Sequence, residues 1–487
     1  MDIYTLISIS AYFIAMLGIG LYAYRNTETD VEGYLLGGRQ LSPAVTALSA
    51  GASDMSGWIL MGLPGAMYIN GLSSAWIAIG LVIGAYFNYL IVAPRLRRFS
   101  ELANDAVTIP DYLSNRLKPE GKSLRAVAAV VVIVFFTLYT SAGLVAGGKL
   151  FESAFGQSYE LGILLTVGVV VVYTLIGGFL AVSMTDFVQG CIMLVALIVV
   201  PIVAIFDVQD VSATLTSIDP SMLSLTSNLG IMAIISSMAW GLGYFGQPHI
   251  IVRFMAIRSV EDIPTARRIG ISWMILSVSG ALCVGLVGRA YVMQHNLTLA
   301  DPETIFILLS QIMFHPLVAG ILLSAILAAI MSTISSQLLV SASSLSEDLY
   351  HRLFKREASQ REVVIVGRAA VLGVSAVAAY LALNPDETIL GLVANAWAGF
   401  GAAFGPVIIL SLVWSKLTYH GAVSAMIAGA VTVLWWSSSS LTINDQVLSS
   451  WLYEIVPGFI VAMLAALIVS RFTARPSHNI DHFFSTR

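Results

Sequence analysis

The sequence predicts an all-α polytopic membrane protein, and three observations carry that prediction. Hydrophobic residues fill 57% of the 487 positions and charged residues only 11%, with a mean hydropathy of +0.86. A chain of that balance cannot cover its core with a polar surface, so much of its outer face must meet lipid. The apolar residues fall in segments of about 20, the length a helix needs to cross a bilayer core, separated by charged or Pro- and Gly-marked breaks.

Thirteen segments meet this description: residues 4–24, 42–62, 66–92, 124–148, 161–180, 187–206, 229–250, 270–291, 316–345, 366–383, 389–414, 419–437 and 452–470. The first reads as a retained span and not a leader, because only Met1, Asp2 and Ile3 precede it and Arg25 follows it. The connection from Pro94 to Lys122 is charged and contains Pro110 and Pro119, which predicts short helical pieces at the inner surface. The tail after Arg471 is brief and polar.

Orientation follows from the basic residues. With the N-terminus outside, every one of the 24 Lys and Arg except Lys149 and Arg289 falls on the inner side, including Arg25, Arg39, Lys118, Arg253, Arg258, Arg475 and Arg487. This predicts an N-out/C-in topology in the cell inner (plasma) membrane. The acidic residues assigned outside, among them Asp207, Asp219, Glu303 and Asp386, read as solvated loop charges. Cys191 and Cys283 lie in apolar runs and read as inert buried thiols. The net charge of −4 has no large basic patch behind it, so nucleic acid is not an implied partner.

Two spans are broken. The second carries Gly51, Gly57, Gly62, Pro64 and Gly65, and the seventh carries Gly241, Gly243, Gly246 and Pro248. Paired interrupted helices mark the substrate site of transporters built from inverted repeats. These two lie five spans apart, an odd number, so the units they open run in opposite directions. The predicted organisation is residues 1–41 (first helix and inner loop), 42–210 (first repeat, helices 2–6), 211–415 (second repeat, helices 7–11) and 416–487 (helices 12–13 and a cytoplasmic tail).

The polar residues of the broken spans carry chemistry. Asp54 lies within Ser49-Ala-Gly-Ala-Ser-Asp-Met-Ser-Gly-Trp58, and a carboxylate at membrane depth costs about 2.5 kcal/mol or more without a partner. A cation is the expected partner. Ala329, Ser332, Thr333 and Ser336 share one helix face by i, i+3, i+4, i+7 spacing. Such hydroxyls with nearby carbonyls suit a hard cation such as sodium; bonding back to the carbonyl of residue i−4 is the other reading. Trp58, Trp240 and Tyr244 offer apolar walls whose faces attract cations. No Lys or Arg is expected deep in a span beside them, so a substrate carboxylate would meet backbone amides and hydroxyls. No Walker-type string is present, and the chain does not read as an enzyme.

At these residues the chain resembles the sodium:solute symporter family, across nearly all of its length. The family signature is matched by Gly177-Gly178-Phe-Leu-Ala-Val-Ser-Met-Thr185-Asp186-Phe-Val-Gln189. Its sodium/proline subgroup is matched by Ala52-Ser-Asp54-Met-Ser56-Gly-Trp58, by Trp240 to Pro248 and by Ala328-Ala-Ile-Met-Ser332-Thr333. The resemblance implies a leucine-transporter-like 5+5 inverted repeat and sodium-driven symport of L-proline by alternating access. It implies sodium on the carbonyls of Ala52, Met55 and Ala329 and the hydroxyls of Ser332 and Thr333. L-proline would sit among Ser56, Gly57, Trp58, Tyr139, Trp240, Tyr244 and Pro248. Coupling or gating falls to Asp54, Asp186 and Arg39. Asp186 also reads as a helix cap or exposed charge at the start of the sixth span, and Arg39 as an orientation charge. Rival readings are proton coupling through Asp54, another small amino acid, a vitamin or a sugar as substrate, a channel, or a membrane sensor that transports nothing.

Overall fold

The computed structural model describes residues 2–26, 33, 36–117, 121–227, 229–385 and 387–473; Lys118, Pro119, Asp386, Arg475 and Arg487 lie outside them. The N-terminal α1 (Ile3–Asn26) is apolar throughout. Helix α2 (Pro43–Asp54) starts where the Ser42 hydroxyl accepts the Val45 N–H and proline occupies the first turn. It ends at Met55, whose φ of −83° and ψ of 78° leave the helical region. The chain resumes in a π-helical turn, Trp58–Gly62, that runs into α3 (Leu63–Asn70). Pro64 therefore starts α3, where its missing N–H is tolerated, and the reversal expected near it falls at Gly71, which adopts φ +65°.

Helix α4 (Ala75–Phe87) passes through a second π-helical turn, Asn88–Val92, into α5 (Ala93–Leu102), and α6 (Ile109–Leu117) follows. These last two are the helical pieces expected in the charged connection. Helix α7 spans Lys122–Phe155 and α8 spans Tyr159–Asp207, broken by Gly178 at φ 58° and ψ −157°. A side chain disfavours that backbone conformation, so the glycine converts one 49-residue run into the two spans the sequence predicts.

The short α9 (Val211–Ile218) leads to the second broken helix. It consists of α10 (Ile231–Met238), a 3-10 stretch Ala239–Gly246, extended Gln247, and α11 (Pro248–Ala256). Then come α12 (Ile263–Gln294), α13 (Ile305–Met313) and α14 (Pro316–Ser343), which continues as a π-helix over Ser344–Phe354. Helices α15 (Gln360–Ala382), α16 (Ile389–Val413) and α17 (Tyr419–Ser438) precede a small hairpin of β1 (Thr442–Ile443) and β2 (Gln446–Val447). The described chain closes with α18 (Leu448–Trp451) and α19 (Ile455–Phe472).

Among the described residues, ten helices are long and apolar enough to cross a membrane. Their burial separates a core from a periphery. The apolar windows of Pro316–Phe354 and Ile389–Val413 are 83% and 89% buried, against 33% for Ile3–Ala23 and 28% for Ile455–Phe472. Helices α14 and α16 are thus central, and α1 and α19 line the outside. Close packing is made by small residues: a Cβ on Gly84 of α4 would strike the Gly241 carbonyl of the 3-10 stretch.

Two expectations about the outside and inside of the bundle are corrected. Cys191 and Cys283 are exposed, not buried, because they fall on the outward faces of α8 and α12. Asp186 is neither a helix cap nor an exposed charge; it lies eight residues beyond the Gly178 break, fully buried.

Candidate functional site

The break in α2 frees a carbonyl. In a continuing helix the Ser56 N–H would bond to Ala52, but here it turns to the Asp54 carbonyl at 3.0 Å. The Ala52 oxygen accepts instead from the Ser332 hydroxyl of α14 at 2.8 Å. That hydroxyl also lies 3.1 Å from the Ala329 carbonyl, which Thr333 Oγ1 reaches at 3.1 Å. Both hydroxyls bond back to their own helix, and that of Ser332 also reaches the broken helix. Ala52, Met55, Ala329, Ser332 and Thr333 are all fully buried, with Met55 at the break itself. Oxygens of Ala52, Ala329, Ser332 and Thr333 meet here, the donor type a hard cation accepts.

Asp54 is the hub of the neighbouring polar cluster. Its Oδ2 accepts a hydrogen bond from the Tyr244 phenol, while Oδ1 is buried and meets no partner among the described residues. Its carbonyl accepts the Trp58 indole N–H and the Tyr139 phenol, each at 3.3 Å. Three of the aromatics singled out in the sequence are thus gathered by one residue. Trp58 lies 6.5 Å from Trp240. Trp240 stacks on Trp397 and on Tyr453, with ring centroids at 6.5 and 5.5 Å. The Trp397 indole N–H donates to the Trp240 carbonyl at 2.8 Å, and its ring meets Tyr244 edge-on at 5.2 Å. Sequence reasoning missed Trp397 and Tyr453. An aromatic in an apolar span gives no sign of its neighbours, and Tyr453 comes from a segment far from both breaks.

The remaining candidates divide. Ser56 and Gly57 are buried at the break, where a Cβ on Gly57 would come within 2.8 Å of the Ala146 Cβ and 3.1 Å of Ile330. Pro248 starts α11 and lines a separate small cavity with Thr108, Val132 and Phe179, apart from the aromatic cluster.

Arg253 corrects the expectation that no basic side chain lies deep beside this site. The sequence assigns it to an inner loop, but α11 carries it into the core, where it is 1% exposed. Its Nε donates to Ser49 Oγ at 3.0 Å and one terminal nitrogen to Asp186 Oδ2 at 3.1 Å and to Ser336. The other terminal nitrogen donates to the His249 carbonyl. Ser49 Oγ reaches the same Asp186 oxygen at 2.7 Å. Ser49 and Ser336 lie about one helical turn from Ala52 and Ser332, so this fixed ion pair adjoins the oxygen set. With its donors committed to these partners, Arg253 is not presented to a substrate carboxylate. Arg39 is likewise no solvated orientation charge. It adopts φ 54° and donates to Ser100 at 3.0 Å and to the carbonyls of Met255 at 3.2 Å and Ala106 at 2.8 Å, tying the entry to α2 onto α11.

Helices broken at facing positions, with an α14 hydroxyl on the freed carbonyl at one break and an aromatic cluster beside it, define a helical membrane protein of the transporter class. Residues 34–429 match the model of the sodium:solute symporter family, and the chain belongs to that family. It is 56% identical over 480 residues to the osmoregulated proline transporter OpuE of Bacillus subtilis (strain 168), covering 98% of this chain and 96% of that one. It is also 56% identical to the high-affinity proline transporter PutP of the same organism, over 96% and 98% of the two chains. A sodium/proline symporter of Staphylococcus aureus (strain JH9) is 52% identical over 98% and 94%. The fold is that of a Na+-coupled sialic acid symporter in a substrate-bound outward-open state, with a TM-score of 0.80 at 17% identity over 97% and 99% of the two chains. MHP1, a nucleobase-cation-symport-1 family transporter, gives a TM-score of 0.56 at 14% identity over 94% and 98%. These are leucine-transporter-like folds, as the sequence implied.

Proposed function

We propose that this chain is a plasma-membrane symporter that couples entry of L-proline to entry of sodium by alternating access. The observation that carries the reading is the Ser332 hydroxyl held 2.8 Å from the Ala52 carbonyl, across the junction of α14 and the broken helix. The full-length similarity to proline transporters supports the choice of solute. The topology that goes with it is thirteen spans, N-out and C-in. The repeats are residues 42–210 and 211–415, flanked by 1–41 and 416–487.

In this reading sodium takes the carbonyls of Ala52, Met55 and Ala329 and the hydroxyls of Ser332 and Thr333, whose bonds to one another give way to the ion. An ion there bridges α2 to α14 and favours one arrangement of the broken helix over others. Proline then binds preferentially to that arrangement among Ser56, Gly57, Trp58, Tyr139, Trp240 and Tyr244, with Pro248 shaping the path beyond. Couplings of this kind are worth about 1–3 kcal/mol. The membrane potential adds about 2.3 kcal/mol per charge per 100 mV. Asp54 supplies the compensating negative charge, and Asp186 and Arg39 act in coupling or gating.

The test is uptake of labelled proline by the purified protein in liposomes, with and without a sodium gradient, against a panel of competing solutes. Uptake that follows sodium and is blocked by unlabelled proline meets the proposal. Uptake driven by a pH gradient without sodium, or blocked only by another solute class, rejects it.

A further inference from the structure

Among the described residues, two buried acceptor oxygens that meet no donor belong to residues lining a cavity between α2, α4 and Tyr244. One is Asp54 Oδ1; the other is Oδ1 of Asn88, a residue that is 1% exposed and that sequence reasoning did not single out. Both residues line the same small cavity, whose other walls are apolar or aromatic: Tyr89, Tyr244, Ile250, Phe254 and Met274 among them. Asn88 also opens the π-helical turn Asn88–Val92, which interrupts the regular register of α4 at this point. Such single π-turns are frequent at functional sites.

A buried acceptor that gains no donor costs free energy, and two on residues that line one cavity describe a site for a donor-rich, cationic group. Resting on the reading of the chain as an imino-acid symporter, we infer that Asp54 Oδ1 and Asn88 Oδ1 form a two-acceptor seat for the secondary ammonium of the substrate. The match is one of count. A secondary ammonium carries two N–H donors and no more, and the seat offers two acceptors, one of them anionic. A primary ammonium would keep a third N–H pointing at apolar wall, and a tertiary one would leave an acceptor unmet.

Size sets how much of the substrate enters. The cavity holds about 20 Å³, room for one water-sized group and not for a five-membered ring. The ring therefore stays among the aromatics, with Tyr244 as the wall common to both spaces: its phenol binds the other oxygen of Asp54, and its ring meets Trp397. Asp54 then serves solute recognition through Oδ1, beside whatever charge it supplies to the ion.

The experiment compares proline with N-methylproline, which has one N–H fewer, as competitors for labelled proline on the purified full chain at saturating sodium. A site built around paired hydrogen bonds rejects the analogue that lacks one. Asn88→Leu removes the acceptor at similar volume and is expected to weaken proline by about tenfold while changing N-methylproline by about twofold or less, so that discrimination shrinks. Asn88→Asp, which keeps an oxygen in place, is expected to retain it. Equal weakening of both competitors by Asn88→Leu, or no change in either, overturns the seat and leaves the symporter reading standing. Failure of the unsubstituted protein to bind any imino acid overturns both.

Discussion

The Arg253 guanidinium and the Asp186 carboxylate meet at 3.1 Å with both side chains removed from solvent, 1% and 0% exposed. The pair joins α11 to α8, and through Ser49 and Ser336 it also reaches α2 and α14. Four helices thus converge on one fixed charge pair, about one turn from the hydroxyls assigned to sodium. Its Coulomb attraction works against a large desolvation cost, so it is kept by its geometry and its added hydrogen bonds.

Removing one member of that pair should be far worse than removing both. Asp186→Leu or Arg253→Met alone leaves an uncompensated buried charge and is expected to cost about 3–5 kcal/mol. The double variant is expected to recover much of that loss. Thermal unfolding of the purified protein in detergent gives the comparison. A double variant whose destabilisation equals the sum of the singles shows that the two residues do not act as a pair.

Ser332→Ala combined with Thr333→Ala takes away both hydroxyls at the α2–α14 junction and leaves the apolar packing nearly intact. The sodium concentration needed for half-maximal proline uptake is expected to rise by about tenfold or more, within the span of ordinary coupling energies. Membrane insertion and yield should be little changed. Ordinary sodium dependence in this variant removes these residues from the ion's path.

Asp54→Asn keeps the shape of the side chain and deletes its charge, so sodium-driven uptake should fall to background. Tyr244→Phe deletes only the phenol that bonds Oδ2. It should lower transport by less, since the charge remains. Equal losses in the two variants would assign the role to the hydrogen bond and not to the carboxylate.

Gly57→Ala forces a methyl group to within 2.8 Å of the Ala146 Cβ and 3.1 Å of Ile330. Overpacking of this kind costs about 1–3 kcal/mol, and at the break of α2 it is expected to abolish uptake in a protein that still inserts. Ala146→Gly in the same chain should restore part of the activity. A second-site change without benefit places the fault in backbone conformation instead.

What could be read in the sequence was whatever repeats locally. Asp54 stood out because one carboxylate in an apolar span is visible by itself, and Ser332 and Thr333 because the period of a helix aligns them. Gly178 sits in the string that marks the family, yet nothing local distinguishes its hinge conformation from the many packing glycines. Arg253 was misplaced for a physical reason: an arginine three residues past a hydrophobic span looks like a loop charge until its partner is known, and Asp186 lies 67 residues away in the chain. Asn88, Trp397 and Tyr453 acquire meaning only from neighbours brought by other helices. The outward faces of Cys191 and Cys283 are equally a property of packing, because a thiol in an apolar run suits lipid and core alike.

Helix α1 is stitched to the start of α14 by Thr5 and Ser8, which donate to the carbonyls of Pro316 at 3.2 Å and Leu317 at 2.8 Å. Further along, the Tyr12 phenol contacts the Met331 sulfur and receives an N–H from Gln189 of α8, while Tyr173 donates to the Met331 carbonyl at 2.8 Å. The residue just before Ser332 is therefore clamped from two sides by parts of the chain outside the broken helices. For the proposed sodium site this makes α14 the anvil and α2 the hammer: the grip on an ion there would be tightened or slackened by displacing the short interrupted segment, while the hydroxyls stay where the scaffold holds them.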